Sequence, residues 1–474
     1  MQLSLGEVAT ILGTSCGVPE RMARGYSIDS RTLTAGQLFF AIRGPRFDGH
    51  QFLGQAFERG AVGAVVEQGF QADSLATLSG ALLHVRNTTE ALQQLARAVR
   101  RQWGGRVVAI TGSTGKSTTK EMTAAALGRR LSVLKSFGNL NNYYGLPLTL
   151  LALEPGHEVA VTELAMSAPG EIELLARIAE PQVGVVTNVA PVHLQFFDSI
   201  DAIARAKREL IDNLPSSGTA VLNYDDERVL RFTKGFKGRV VTFGFEQGAD
   251  FRALDLTQGS GGGSDFHVSG PTLENDFHLA LPGRHNVQNA LAAIATASLF
   301  EIPLVDLQDA LASFQALAQR SEILTLPPGI TLLNDCYNSN PVAMERMLET
   351  LAAWPGAGRR IVVAGEMLEL GPTSPEWHRR IGRKCAETGV DWLLAVQGDA
   401  RFLLEGAEAA GLAGERMRFF TAPEEAAEFC RGLLRPGDVL LLKGSRGVHL
   451  EKVRELLESS GSSMPANAKA EPLN

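Results

Sequence analysis

From Val107 onward, short apolar runs alternate with stretches of helical periodicity. "VVAIT" (107–111), "VAVTEL" (159–164), "VGVVTN" (183–188) and "AVLN" (220–223) read as strands with helices between them. Alternation of this kind predicts a parallel sheet with helices on both faces. A second set, "TLLND" (331–335), "RIVVAG" (360–365), "WLLAV" (392–396) and "DVLLLKG" (438–444), predicts another doubly wound unit. Ahead of both, residues 1–86 mix short strands and helices. At Asn87 a helix should begin, because Asn87 can cap it, Glu90 follows three residues on, and Leu92, Leu95 and Val99 mark one apolar face. "QGSGGGSD" (258–265) reads as a flexible loop and the small, polar end (459–474) as a disordered tail. The predicted class is α/β with three domains, 1–86, 87–314 and 315–458, the central one built around a phosphate loop and the last Rossmann-like.

Composition narrows the class of partner. A length of 474 residues suits about three domains of ~150 each. With 45% hydrophobic and 20% charged residues the chain reads as an ordinary soluble protein, and a net charge of −7 argues against a nucleic-acid or membrane-surface partner. Cys16, Cys336, Cys385 and Cys430 are scattered without a C-x-x-C pair, which suggests reduced thiols in a cytoplasm. The start "MQLSLGEVATILG" lacks a signal-peptide pattern, and no apolar run reaches the ~18 residues of a membrane span. Monomer is the default oligomeric state.

The most informative chemistry is "TGSTGKSTTKE" (111–121). It follows a strand and opens a helix. Gly112 and Gly115 allow close backbone approach to phosphates, with Ser113, Thr114 and Thr118 in the same turn. Lys116 can reach terminal phosphates and the Ser117 hydroxyl can bind Mg²⁺. The usual spacing would put the first glycine at position 110, which is Ile110, so this is a shortened loop. Glu163 and His193 fall at or just past strand ends on the loop's side, where they could hold metal, or be a solvated Glu and a hydrogen-bonded His. Lys207 lies on the apolar stripe of "SIDAIARAKRELI" (199–211), not opposite it. A buried neutral amine there could react with CO₂ to give a carbamate, whereas a surface-reaching stem would keep its charge. Asn286 and Asn289 could offer amides to a base or serve as cap and packing amides. Asn340 should cap a helix with Pro341 at its first position. Lys443 and Arg446 suit an anion at another strand end, or a solvated loop. Asp29, Arg31, Asp48 and His50 by themselves suggest only loops.

Assembled, these positions resemble the Mur ligases of bacterial cell-wall synthesis, over nearly the whole chain to about residue 455. That family's loop is built on G-x-x-G-K-[ST], which accounts for the short spacing. "GNLNNYYGLPLTLL" (138–151), "DSRTLTAGQLFFAIRGPRFDGHQF" (29–52), "DCYNSNPVAM" (335–344), "GEMLELG" (365–371) and "LLLKGSRG" (440–447) are similar to the branch that adds D-alanyl-D-alanine. The resemblance implies that ATP activates a carboxylate of UDP-N-acetylmuramoyl-tripeptide as an acyl phosphate, which the amine of D-alanyl-D-alanine attacks. It implies that Lys116 neutralises the transferred group, with Asn188 close by. Ser117 and Glu163 would hold one Mg²⁺, and His193 with carbamylated Lys207 a second. Asn286 would face adenine, with Asn289 beside it, Asp335 the ribose and Arg320 a phosphate. Asp29, Ser30, Arg31, Asp48, Gly49 and His50 would line a uridine-nucleotide site in the first domain. Asn139, Asn141, Asn142, Asn338, Lys443 and Ser445 would contact substrate. Two places depart from the family pattern: Ala165 stands where glycine is usual, and Tyr143-Tyr144 where Glu and a smaller residue are commoner. Another ligase of the superfamily, such as a folylpolyglutamate synthase, or a nucleotide-binding protein without turnover, remain the alternatives at this point. The "DSRTLTAGQLFFAIRGPRFDGH" segment argues against the folate enzyme.

Overall fold

The structure is a computed structural model that describes residues 1–70, 81–192, 194–259, 262–271, 273–356 and 358–460. Three sheets carry the site. The first has four parallel strands in the order Gly25–Ser27, Gln37–Phe40, Gly63–Glu67 and Leu82–Val85. The helix Thr88–Trp103 follows it. Asn87 caps this helix as expected, its side-chain oxygen accepting from the N–H groups of Thr89 at 2.8 Å and Glu90 at 3.1 Å. Leu92, Leu95 and Val99 are fully buried, and one apolar cluster runs from Leu38 and Val65 through this helix to Leu150, Leu175 and Leu210. The helix therefore shares its apolar face between the first sheet and the helices on the central one.

In the central sheet the strand Arg106–Thr111 pairs in parallel with Val183–Val186 on one side and Val159–Glu163 on the other. Val133–Lys135 closes that edge, and Thr219–Asn223, Arg239–Gly244 and Phe251–Gln258 extend the other, all parallel. β-Branched residues fill these strands because both faces are covered by helices. The expected all-parallel sheet is corrected at its far edge, where Ser264–Gly270 and Leu273–Leu279 run antiparallel. The reason is chain length: the connection after Gln258 is too short for a crossover helix, so it returns as a hairpin. "QGSGGGSD" is thus largely strand end and turn, with residues 260 and 261 outside the described residues.

The third sheet has six strands in the order Glu322–Leu326, Ile330–Asn334, Val439–Lys443, Arg360–Gly365, Trp392–Val396 and Met417–Phe420. The first pair is antiparallel across the turn at Pro327, Pro328 and Gly329, and the rest are parallel. The last helix, Glu451–Ser460, runs two residues into the segment expected to be tail; residues 461–474 lie outside the described residues. All four cysteines are free, and burial pushes the Cys385 and Cys430 thiols up to about 12. Among the described residues no helix is long and apolar enough to cross a membrane.

Because Asn87 satisfies two end N–H groups of a helix that joins two packing units, Asn87→Ala should lower stability by about 1 kcal/mol. Urea unfolding followed by circular dichroism checks this; an unchanged midpoint would contradict it.

Candidate active site

The phosphate loop is held open by neighbours that leave no room for side chains at its glycines. Gly115 has φ 80° and Gly112 φ 151°, both positive. A Cβ on Gly115 would overlap the side-chain oxygen of Asn289, and one on Gly112 the hydroxyl of Thr187. The loop is then pinned from the end of the strand Val183–Val186. Asn188 accepts from the Thr114 N–H at 3.0 Å and hydroxyl at 3.1 Å, and donates back to the Thr114 carbonyl at 3.1 Å. Thr187 donates to the same carbonyl at 2.6 Å, and the Ser113 hydroxyl accepts from Ala190 N–H at 2.8 Å. The helix Lys116–Leu127 begins directly at the loop, so its free N–H groups and positive end face the turn. Lys116 folds back, Nζ donating to the Gly112 carbonyl at 3.0 Å.

Beside the loop stands an oxygen pair. Glu163, 2% exposed, accepts from the Ser117 hydroxyl at 2.7 Å through one oxygen and from Asn141 Nδ2 at 2.9 Å through the other. The strand Val159–Glu163 ends at the C-terminal edge of the sheet, which is why Glu163 arrives at the loop. A hydroxyl and a carboxylate next to phosphate are hard oxygen donors that suit Mg²⁺. Lys207 is buried, 2% exposed, on the helix Ile200–Asp212. Burial, and then the neighbouring charge of Lys116, hold its pKa well below the usual lysine range. Desolvation also lowers that of Lys116; Glu163 opposes this and Arg320 adds to it. His193 lies outside the described residues.

The third sheet closes over the loop. A cavity of about 250 Å³ between the central and third units is lined by Ser113, Thr114, Gly115, Lys116, Ser117 and Thr118 on one wall. Asn286, Asn289, Arg320, Asp335, Asn338 and Lys443 line it too, as do Asn139, Asn141 and Glu163. Asp335 is fixed at the end of the strand Ile330–Asn334, accepting from Ser321 N–H at 2.9 Å and pairing with buried Lys443 at 2.5 Å. Arg320 stacks on Tyr337, 4.0 Å from the ring centre. Asn286 Nδ2 donates to the Pro282 carbonyl at 2.8 Å. Ser445 lies in an adjoining cavity that shares Ser113, Lys116 and Asn338 with the first. Its hydroxyl also accepts from Leu368 N–H at 2.9 Å.

Several expected residues stand elsewhere. Asn142 does not line the cavity; its side-chain oxygen accepts from the Tyr144 and Gly145 N–H groups at 3.1 and 2.9 Å, in the turn that leads into the helix Gly145–Leu151. The first-unit residues form a separate polar cluster. Asp29 pairs with Arg31 at 2.7 Å, Ser30 donates to Gln55 at 2.6 Å, and Asp48 binds His50 at 2.6 Å. His50 Nε2 in turn accepts from Glu67 N–H at 3.0 Å, while Gly49 opens the short turn Gly49–Phe52. None of them lines the cavity over the loop.

Sequence reasoning missed Thr187, His285 and Arg346. His285 lines the cavity with its pKa pushed down to about 3, by burial and then by Arg346 and Lys443. Arg346, on the helix Pro341–Ala352, donates to the Thr114 hydroxyl at 3.1 Å. The register of that helix was a usable signal, because Asn340, Ala343, Arg346 and Met347 line one face toward the cavity.

A glycine loop at a helix start, beside a buried carboxylate and covered by a second unit, is the kind of site that nucleotide-using enzymes build. Family models match along the chain: the Mur ligase family catalytic domain at residues 23–100, the Mur ligase middle domain at 110–297, and the Mur ligase glutamate ligase domain at 319–446. A UDP-N-acetylmuramoyl-tripeptide–D-alanyl-D-alanine ligase of Bacillus subtilis is 35% identical over 93% of this chain and 94% of its own length. The protein of the same name from Escherichia coli is 34% identical over 98% of this chain and 100% of its own. A crystal structure of MurF from Acinetobacter baumannii superposes with a TM-score of 0.88 at 30% identity, covering 97% of this chain and 99% of that one. The chain belongs to the Mur ligase family.

Gly115→Ala should abolish tight nucleotide binding without unfolding the chain, because the added methyl meets Asn289 in a backbone conformation that disfavours side chains. Titration calorimetry with ADP should show Kd raised by at least about tenfold, the equivalent of ~1.4 kcal/mol. A wild-type Kd in a folded variant would show that the loop is not the nucleotide site.

Proposed function

We propose that this chain is the ligase that joins D-alanyl-D-alanine to UDP-N-acetylmuramoyl-tripeptide, converting ATP to ADP and phosphate and giving the UDP-linked pentapeptide precursor of peptidoglycan. The observation that carries the ATP-dependent step is the phosphate loop facing Arg320 and Asp335 across one cavity. The amino acids joined follow from full-length kinship with enzymes of that name. A carboxylate is a poor electrophile, so ATP first phosphorylates it. The amine then attacks the acyl carbon, and the tetrahedral intermediate expels phosphate with the carboxylate oxygen attached.

Most of the rate enhancement then comes from positioning and charge neutralisation. Loop N–H groups and the start of the helix Lys116–Leu127 bind phosphate oxygens, and Lys116 leaves its resting carbonyl for the transferred phosphoryl group. Asn188 keeps the loop in shape through its bonds to Thr114. Asn286 and Asn289 serve the base and Asp335 the ribose. Ser117 and Glu163 fit one Mg²⁺, which would shield the charge of the polyphosphate. Lys207, with His193, is assigned to a second Mg²⁺. Lysine there suits carbamylation, since its burial favours the neutral amine that CO₂ requires. The cluster at Asp29, Ser30, Arg31, Asp48, Gly49 and His50 is assigned to the uridine nucleotide, and Asn139, Asn141, Asn338, Lys443 and Ser445 to the reacting end. Soluble nucleotide substrates and free thiols fit a cytoplasmic monomer serving cell-wall growth, shape and division.

Purified protein with ATP, Mg²⁺, D-alanyl-D-alanine and UDP-N-acetylmuramoyl-tripeptide should release phosphate and form the pentapeptide product by mass. Tripeptides ending in meso-diaminopimelate and in lysine settle the third residue. ATP binding without product would move the chain to another acceptor. Lys207→Ala should lose activity by at least about tenfold, and added acetate or formate should restore part of it by replacing the carbamate. Wild-type activity in that variant would remove Lys207 from the metal site.

A further inference from the structure

Arg346 carries a half-buried guanidinium that has no role in the proposed function. It projects from the second turn of the helix Pro341–Ala352, which Asn340 caps by accepting from Ala343 N–H at 3.0 Å. One N–H donates to the hydroxyl of Thr114, the residue just before Gly115 and Lys116. Among the described residues no carboxylate lies within ion-pair distance of it; Glu349, Asp226 and Glu345 act on it only at longer range. Its side chain lines both the nucleotide cavity and a neighbouring one of about 500 Å³.

A guanidinium has five N–H donors in a planar fork, and one hydroxyl uses only one of them. Leaving such a charge desolvated and unpaired is costly unless an anion arrives. The anion expected at Thr114 is a polyphosphate, because the neighbouring backbone and Lys116 form the phosphate loop. The uridine-nucleotide residues Asp29 to His50 do not line this cavity, so the diphosphate of the other substrate is the less suitable source.

We propose that Arg346 is a phosphate contact of the ATP site: with nucleotide bound, it keeps its bond to Thr114 and turns its remaining donors on the polyphosphate, so that the third unit completes the anion grip. This rests on the ATP-dependent reading above. It adds a second arginine to Arg320 and gives a direct physical link between closure of the third unit and hold on the phosphates.

The test is titration calorimetry on the full chain with Mg²⁺, using ADP, adenosine and UDP-N-acetylmuramoyl-tripeptide as separate probes. For Arg346→Ala the ADP Kd should rise roughly 10–100-fold, the range expected for lost charge-assisted bonds. Adenosine and the uridine nucleotide should bind as to wild type, Arg346→Lys should fall between, and the thermal midpoint without nucleotide should not drop. An ADP Kd within about twofold of wild type would overturn the proposal, as would an equal loss for adenosine, which signals a distorted cavity. A loss confined to the uridine nucleotide would also overturn it. If Arg346→Ala does not fold, Arg346→Lys and Arg346→Gln carry the same comparison. Wild-type protein that fails to bind ADP would sink this inference and the ATP reading together, whereas wild-type binding with an unaffected variant sinks this inference alone.

Discussion

The close approach of two side chains, Thr187 and Asn289, to the backbone at Gly112 and Gly115 is the constraint on which the rest of the site depends. The oxygen of Asn289 and the hydroxyl of Thr187 occupy the space that two β-carbons would need. The loop therefore has one shape, set by the strand end at Thr187–Asn188 on one side and the helix Arg284–Ala297 on the other. The central parallel sheet exists, in functional terms, to bring those ends to one edge. A loop pinned by Asn188 needs no rearrangement when phosphate arrives, which is the form of preorganisation that lowers a barrier.

Around that loop the charges do not balance. Lys116, Arg320 and Arg346 line the cavity from two units, while Glu163 and Asp335 are the acidic residues that line it. Lys443 is neutralised by Asp335. Desolvation, with Arg320 adding to it, lowers the Lys116 pKa, so the charge of this lysine is disfavoured there. A polyanion relieves it. Cations that suit phosphate sit on both sides of the cavity, so a bound nucleotide would draw on both units.

Much of this was legible in the sequence because the signals were local. The strands at 107–111, 183–188, 360–365 and 392–396 were continuous apolar runs, and caps at Asn87 and Asn340 followed from side-chain chemistry one turn long. The short loop and the lysine on the apolar stripe of Ile200–Asp212 were equally direct. What escaped notice needed tertiary information. The hairpin of Ser264–Gly270 and Leu273–Leu279 is polar on one side, with His267–Asp276 and His278–Asp265 pairs, so its strands lacked the apolar run of a buried sheet. Asn142 turns its side-chain oxygen to the Tyr144 and Gly145 N–H groups instead of the cavity, a local bond that the sequence does not distinguish from a ligand contact. Arg346 drew no notice in the sequence, although the register of its helix carried a signal, and its bond to Thr114 across the cavity shows its place.

The account centres on transfer of a phosphoryl group to the carboxylate of the peptide, and an isotope measures that directly. The tripeptide substrate labelled with ¹⁸O in its terminal carboxylate would be turned over with ATP and D-alanyl-D-alanine, and the released phosphate analysed by mass. Attack through an acyl phosphate moves one carboxylate oxygen into each phosphate, so label in the phosphate is the expected result. Unlabelled phosphate accompanying labelled pentapeptide would mean that ATP is split without activating the carboxylate, and would contradict the account.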